Sequence, residues 1–263
     1  MGVVHSVRRR RYAVRGRGGD VAKTRKNMTD AIADTNRGPL YAALLAVVFV
    51  PVHLYALFSV DIASQPLLTV ALILLQTWLY VGLFIVAHDA IHETLFGRGD
   101  PRNRTVGRII HFLYAGFDFD AMKAAHIDHH EYPGSERDPD FNAGDPYRFW
   151  PWYWKFFTTY FGWKQVAILA AFSAVYLLFG ASYHNIVLLW ALPSVLSSFQ
   201  LFFFGTYLTH RHADAFPDTH NARSNSFPKW LSLLTCFHFG YHHEHHLYPH
   251  EPWWRLPARR FEA

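Results

Sequence analysis

Residues 38–60 and 62–87 contain no Asp, Glu, Lys or Arg, and a third uncharged stretch runs from Gln165 to His210. An α-helix rises about 1.5 Å per residue, so each of the first two can cross the roughly 30 Å of bilayer hydrocarbon. The third is too long for one helix, and Gly180-Ala181-Ser182-Tyr183-His184-Asn185 interrupts it with turn-forming residues. The expected fold is therefore all-α and integral to a membrane. Four transmembrane helices pair into two hairpins, at about 40–60 and 66–87, then about 165–181 and 186–208. Buried helices of a soluble protein are the alternative, and four such lengths without a charge oppose it.

The rest of the chain is polar enough to build on those spans. Hydrophobic residues make up 51% of the 263, yet the mean hydropathy is zero, which suits apolar spans joined to a helical cap at 88–164 and 209–263. Residues 38–263 read as one domain. Residues 1–37, with Arg8 to Arg11, Arg15, Arg17, Lys23, Arg25 and Lys26, read as a disordered basic arm lying near anionic headgroups. All 25 Lys and Arg fall in three segments, ten in 1–37, nine in 88–164 and six in 211–263. The hairpin tips near Asp61 and Gly180 carry none. The positive-inside rule then puts both termini and the cap in the cytoplasm, and the net charge of +5 is a topology signal that needs no nucleic-acid partner. Trp150, Trp152, Trp154, Trp163, Trp253 and Trp254 are expected as interfacial anchors.

Chemistry is concentrated in 18 histidines. Cys236 is the one cysteine, so an internal disulfide is impossible and a cysteine metal site is not expected. Three clusters stand out: His88 and His92 at the end of the second span; His126, His129 and His130 in the central segment; and His242, His245 and His246 after the fourth span. Positions i, i+3 and i+4 share a helix face, so each cluster points its rings together. Eight imidazoles exceed what one ion accepts, and two metal ions are expected. Imidazole suits iron, zinc, copper or nickel, which leaves the metal open at this point. His210, where the fourth span emerges, is a ninth candidate ligand; His238 stands between ligation and packing. Asp89, Asp128 and Glu244, inside the clusters, are the candidate carboxylates for orienting the ligands from behind, with Asp138 and Asp140 as further candidates.

The three histidine clusters, the paired hairpins and the cap resemble the membrane fatty acid desaturase and hydroxylase superfamily. Within it, residues 75–257 look most like the bacterial carotenoid ketolases. Carrying that resemblance are His88-Asp89-Ala90-Ile91-His92, Leu113-Tyr114-Ala115-Gly116-Phe117, and His126 through Phe141 with Tyr132-Pro133-Gly134 and Arg137-Asp138-Pro139-Asp140-Phe141. His210-Arg211, His220-Asn221-Ala222-Arg223-Ser224, Leu233 through Pro249, and Pro252 through Pro257 extend it. Two departures are visible: Glu93 follows the first cluster where a small residue such as Gly is expected, and Thr209 stands where Pro is expected.

The resemblance implies a non-haem centre of two iron ions, with dioxygen as co-substrate. It implies oxidation of the 4-methylene of β-ionone rings to a ketone, by two hydroxylations and a dehydration. Echinenone and canthaxanthin would form from β-carotene, with astaxanthin from zeaxanthin as a further product. Electrons would come from an external, ferredoxin-type donor, since the chain carries neither a Gly-rich dinucleotide fingerprint nor an iron–sulfur cysteine set. The carotenoid would enter from the lipid phase, past the aromatic run Phe199 to Phe204 or past Tyr114, Phe117 and Phe119. The expected location is a bacterial inner membrane. Two rivals remain, an acyl or sphingoid desaturase or hydroxylase with the same metal centre, and a non-enzymatic membrane metal-binding protein.

Overall fold

The computed structural model describes residues 37–212, 216 and 218–261; the basic arm at 1–36 lies outside the described residues. Every element among the described residues is helical, apart from an isolated bridge between Ser224 and Tyr241. Helix α1 (Gly38–Phe58) and α2 (Pro66–Ile91) form the first hairpin. Both open on a proline in the first turn, where a missing N–H costs nothing and φ is already helical. Helix α3 (Pro101–Ala115) runs back along α2, capped by the Asp100 carboxylate, which accepts from the Arg102 backbone N–H at 2.8 Å. It ends at Gly116, whose φ of +70° is open to glycine without strain. Helix α4 (Phe119–Glu131) follows at once, capped by Asp118.

The second pair of spans departs from expectation. Helix α5 (Phe149–Tyr160) and α6 (Trp163–Leu178) meet at a bend of 73°. Sixteen residues of α6 reach about 24 Å, short of a full crossing, so three helices are long and apolar enough to span alone, and α6 makes a fourth only when paired with α5. Helix α7 (Tyr183–His210) starts earlier than expected and runs unbroken for 28 residues. Two π-helical segments, Val187–Ala191 and Phe202–Tyr207, widen it, and such segments recur near functional sites. Beyond α7 come α8 (Lys229–Cys236), α9 (His242–Leu247) and α10 (Leu256–Phe261).

Polar contacts tie the hairpins together inside an apolar bundle. The Asn185 amide of α7 is directed at the carbonyls of Ala56, Leu57 and Val60, at 2.9–3.1 Å, closing the orphan acceptors at the end of α1. Midway along the spans, His53 of α1 bonds Gln76 of α2 at 3.0 Å and the Tyr176 hydroxyl of α6 at 3.2 Å. Gln76 in turn donates to the Leu189 carbonyl at 2.5 Å, in the first π segment. Leu40, Leu44, Val47, Val50, Leu67 and Leu74 remain exposed along α1 and α2, as lipid-facing side chains do.

The tryptophans divide. Trp150, Trp154 and Trp163 are exposed, but Trp152 is fully buried and its indole N–H donates to the Asp140 carbonyl at 2.7 Å. Trp253 and Trp254 pack on Tyr41. Trp152 is a packing residue rather than the anchor its position suggested, because it is fully enclosed, while Trp253 and Trp254 are half-buried.

Candidate metal centre

All nine candidate ligands converge at one end of the bundle, where α2 and α7 both finish. His88 lies in the last turn of α2 and His92 caps it; His210 ends α7; the others ride on α4 and α9. They divide into two sets. The ligand atoms of His88, His92, His126 and His245 all lie within 4.8 Å of one another, as do those of His129, His210, His242 and His246. His130 joins the first set, its Nε2 lying 3.1 Å from that of His126 and 2.9 Å from that of His245, while its ring stacks on His246.

The division runs through the clusters. On α4 the i, i+4 pair His126 and His130 faces the first set and His129 the second; on α9 the i, i+4 pair His242 and His246 faces the second and His245 the first. Helical spacing correctly brings each cluster's rings to one side of its helix. At about 100° per residue, however, the i+3 ring sits far enough round to serve the neighbouring centre. Each helix therefore bridges both sets.

Hydrogen bonding cannot account for this crowding. A ring nitrogen offers one in-plane position, a proton or a lone pair. Yet the Nε2 of His126 has three ring nitrogens around it, from His88 at 2.9 Å, His92 at 2.8 Å and His130 at 3.1 Å. The Nε2 atoms of His129, His242 and His246 form a triangle with sides of 3.2–3.4 Å. Two imidazoles bound at right angles to one ion, each about 2.0–2.1 Å from it, would stand roughly 3 Å apart. The rings fit metal ions.

The outer contacts point the same way. His129 bonds through Nδ1 to the Asp138 carboxylate at 2.9 Å, and His210 donates from Nδ1 to the Asn221 carbonyl at 2.8 Å. Each bond fixes the tautomer that turns an Nε2 lone pair inward, and the His210 Nε2 is buried with no hydrogen-bond partner. Burial, reinforced by repulsion among the rings, pushes His92, His126, His242, His245 and His246 well below the ordinary imidazole pKa and His130 down to about 2. Neutral rings are what a metal requires. His129 goes the other way: burial lowers it, but the charge and hydrogen bond of Asp138 outweigh that and raise it.

Two of the expected carboxylates, Asp128 and Glu244, need correcting. Asp128 is exposed, because it follows His126 by two residues and so points to the far side of α4. Glu244 is buried but bonds Ser224 and, at 3.2 Å, Arg260; it moors α9 and orients no ring. Asp89 is buried behind His88, 3.6 Å from its Nδ1 and so at ion-pair distance, longer than a hydrogen bond, and it also accepts from the Trp253 backbone N–H at 3.3 Å. Direct hydrogen bonds behind ligand rings come from Asp138, to His129, and from the Asn221 carbonyl, to His210, a backbone partner that the Asn221 side chain does not mark. His243 pairs with Asp218, and His238, with a φ of +64°, stacks beside Tyr241; neither belongs to a set. His53 serves the span cluster described above.

An apolar cleft of about 910 Å³, counted out to its mouth, reaches the metal centre. His88, His126, His129 and His242 line its inner end, and Phe84, Tyr114, Phe117, Phe156, Phe157 and Phe161 its walls. Of the expected aromatic run only Leu201 reaches it; Phe202 is packed against Trp152, and Phe119 against His111.

A fatty acid desaturase family model matches residues 64–167 and 146–260. The chain belongs to the fatty acid desaturase family. It is also 49% identical over 226 residues to a beta-carotene ketolase of Paracoccus sp. strain N81106, covering 85% of this chain and 90% of that protein. A beta-carotene ketolase of Paracoccus sp. strain PC1 is 46% identical over 239 residues, 90% of this chain and 96% of that protein. A zeaxanthin 4-ketolase of Chlamydomonas reinhardtii is 39% identical over 188 residues, 70% of this chain and 42% of that protein. No solved structure gives a significant match.

Both departures from the ketolase pattern have physical substitutes in this desaturase-family chain. Glu93 adopts a φ of +59°, a conformation glycine takes freely and other residues at roughly 1 kcal/mol. It offsets that cost by pairing with Lys123 of α4 at 3.0 Å and accepting from the Gly99 N–H at 3.0 Å. Thr209 returns its hydroxyl to the Gly205 carbonyl at 2.7 Å, meeting the i−4 acceptor that a proline there would leave open.

Proposed function

We propose that this chain is a dioxygen-dependent di-iron oxygenase converting the 4-methylene of the β-ionone rings of β-carotene to a ketone. One oxidised ring gives echinenone and two give canthaxanthin; zeaxanthin would give astaxanthin. The observation that carries this reading is the apolar cleft ending on imidazoles of both histidine sets, joined to relatives named as ketolases.

The first iron would be held by His88, His92, His126, His130 and His245, and the second by His129, His210, His242 and His246. Bound iron supplies dioxygen activation, which an all-imidazole donor set supports but does not select over other metals. The protein supplies the rest. Asp138 and the Asn221 carbonyl hold His129 and His210 with lone pairs inward. Phe84, Phe117, Phe156 and Phe157 seat an apolar ring and exclude water from its oxidation. Each hydroxylation consumes one dioxygen, two electrons and two protons, and releases one water. A second at the same carbon gives a geminal diol, which loses water to leave the ketone. The electrons come from a ferredoxin-type donor docking on a basic cytoplasmic cap. Both termini lie in the cytoplasm, with the spans in the inner membrane and the carotenoid arriving from the bilayer.

Expression in cells that accumulate β-carotene tests this, with pigments separated by mass and absorption. Echinenone and canthaxanthin are the expected products. Unchanged β-carotene with altered acyl chains would shift the reading to a desaturase or hydroxylase of lipids. Bound zinc without iron, and no oxygen-dependent product, would leave a metal-binding protein.

A further inference from the structure

The cleft is mostly apolar, yet one acid and one phenol face it together, Asp140 and Tyr160. The Tyr160 hydroxyl, at the end of α5, donates to Oδ1 of Asp140. The backbone around that acid is clamped: the Trp152 indole holds the Asp140 carbonyl, the Lys155 ammonium takes the carbonyls of Pro139 and Phe141, and the Asp140 N–H donates to Oδ1 of Asp138 at 2.9 Å. That Asp138 oxygen is also the one bonded to His129. One carboxylate therefore fixes a ligand ring and the Asp140 backbone together, which sets the pair beside the reacting end of the cleft. Of the other hydroxyls lining the cleft, Ser198 is bonded to Tyr153 and Tyr114 to Ser197, and Thr206 has no carboxylate beside it among the described residues to form such a pair.

A methylene substrate has no use for this pair. The half-oxidised ring does. Its allylic hydroxyl can donate to the second Asp140 oxygen and accept from a rotated Tyr160 hydroxyl, whereas the finished ketone has no proton to give a carboxylate. We propose that Asp140 and Tyr160 retain the 4-hydroxylated ring between its two oxidations, so that the enzyme releases ketone in place of alcohol. The pair is a specificity device; it takes no part in holding metal. The inference rests on the ketolase reading above.

Two measurements test it. In β-carotene-accumulating cells, Tyr160→Phe and Asp140→Asn should raise the ratio of 4-hydroxylated to 4-keto rings about tenfold, the scale of one lost hydrogen bond. The number of rings oxidised should stay similar. An unchanged ratio in both variants overturns the proposal. Separately, purified wild-type protein in detergent, without an electron donor so that no turnover occurs, should bind 4-hydroxylated carotenoid about tenfold more tightly than β-carotene, read from the carotenoid absorption shift. Equal affinities overturn it even if a variant fails to fold. A wild type that leaves β-carotene unoxidised sinks the ketolase reading instead, and the binding comparison still judges the pair.

Discussion

The two histidine sets sit side by side yet are held by different means. All four rings of the second set are buried, and two are pinned from behind, His129 by Asp138 and His210 by the Asn221 carbonyl. In the first set His92, His126 and His130 remain partly accessible; buried Nδ1 atoms without a hydrogen-bond partner occur in both, His88 in the first and His242 and His246 in the second. The second centre has half its rings fixed from behind by the protein's own bonds. The other depends on where the end of α2 comes to rest against α4 and α9. On the proposed reading, the second set binds its ion more tightly and the first exchanges it more readily.

Removing a ligand breaks that comparison hardest. His129→Ala and His245→Ala should each bring ketone formation below detection. They should differ in metal content: His245→Ala keeps about one iron per chain, in the well-anchored second set, whereas His129→Ala strips that set and leaves the weaker first one. Metal analysis of the purified variants decides this. If each substitution empties both sets equally, the two are one cooperative unit and the contrast is wrong.

Taking away the outer bond alone is the next largest effect. Asp138→Asn should lower activity or second-site metal affinity by about 10–100-fold, the usual cost of losing a partner behind a metal-bound histidine. Asp128→Asn, on the exposed side of α4, should leave both unchanged. Equal losses from the two would return the orienting role to the acid inside the cluster.

That pair shows what the sequence discloses. Spacing brings eight histidines forward, because a 3.6-residue repeat fixes which side of a helix a side chain takes, and the end of an uncharged span adds His210. Uncharged length likewise marks the spans, since a charge in hydrocarbon is costly whatever the fold. Partnership between segments is harder to read. Asp138 reaches His129 because the turn after α4 folds back, and Asn221 contributes a backbone carbonyl that no side chain advertises. Asp128, nearer in sequence, points away. The bend between α5 and α6 is hard to read for a similar reason, as Tyr160, Phe161 and Gly162 carry no charge and no proline where the chain turns through 73°.

Acid should act on the metal-free protein in a direction these environments set. His92, His126, His242, His245 and His246 have folded pKa values far below 6.5, and His130 about 2, all driven first by burial. The unfolded chain takes up protons near pH 6.5 while the folded one resists, so these rings cost stability as pH falls below about 6.5. His129 has the opposite sign: its raised pKa stabilises the fold below about 6.5, and that contribution fades as pH rises through the raised value. Six against one predicts a net fall in melting temperature from pH 7 to pH 5. Metal-loaded protein should lose less until acid strips the ions. A melting temperature flat across that range in the metal-free protein would mean the rings are hydrated and the sets are not closed.

The smallest effect belongs to the other polar cluster, in the middle of the spans. His53, Gln76 and Tyr176 also bring an imidazole together with polar partners, but here each ring nitrogen meets one oxygen, a bonding pattern hydrogen atoms satisfy without an ion. This cluster joins α1, α2 and α6, and Gln76 carries it to α7. Its expected role is to hold the spans in register. His53→Phe should therefore cost about 0.6 kcal/mol for each interhelical bond lost, seen as a modest drop in melting temperature in detergent. Iron content should not change. If iron or ketone yield falls first, the spans transmit their packing to the histidine sets, and the two clusters are one system.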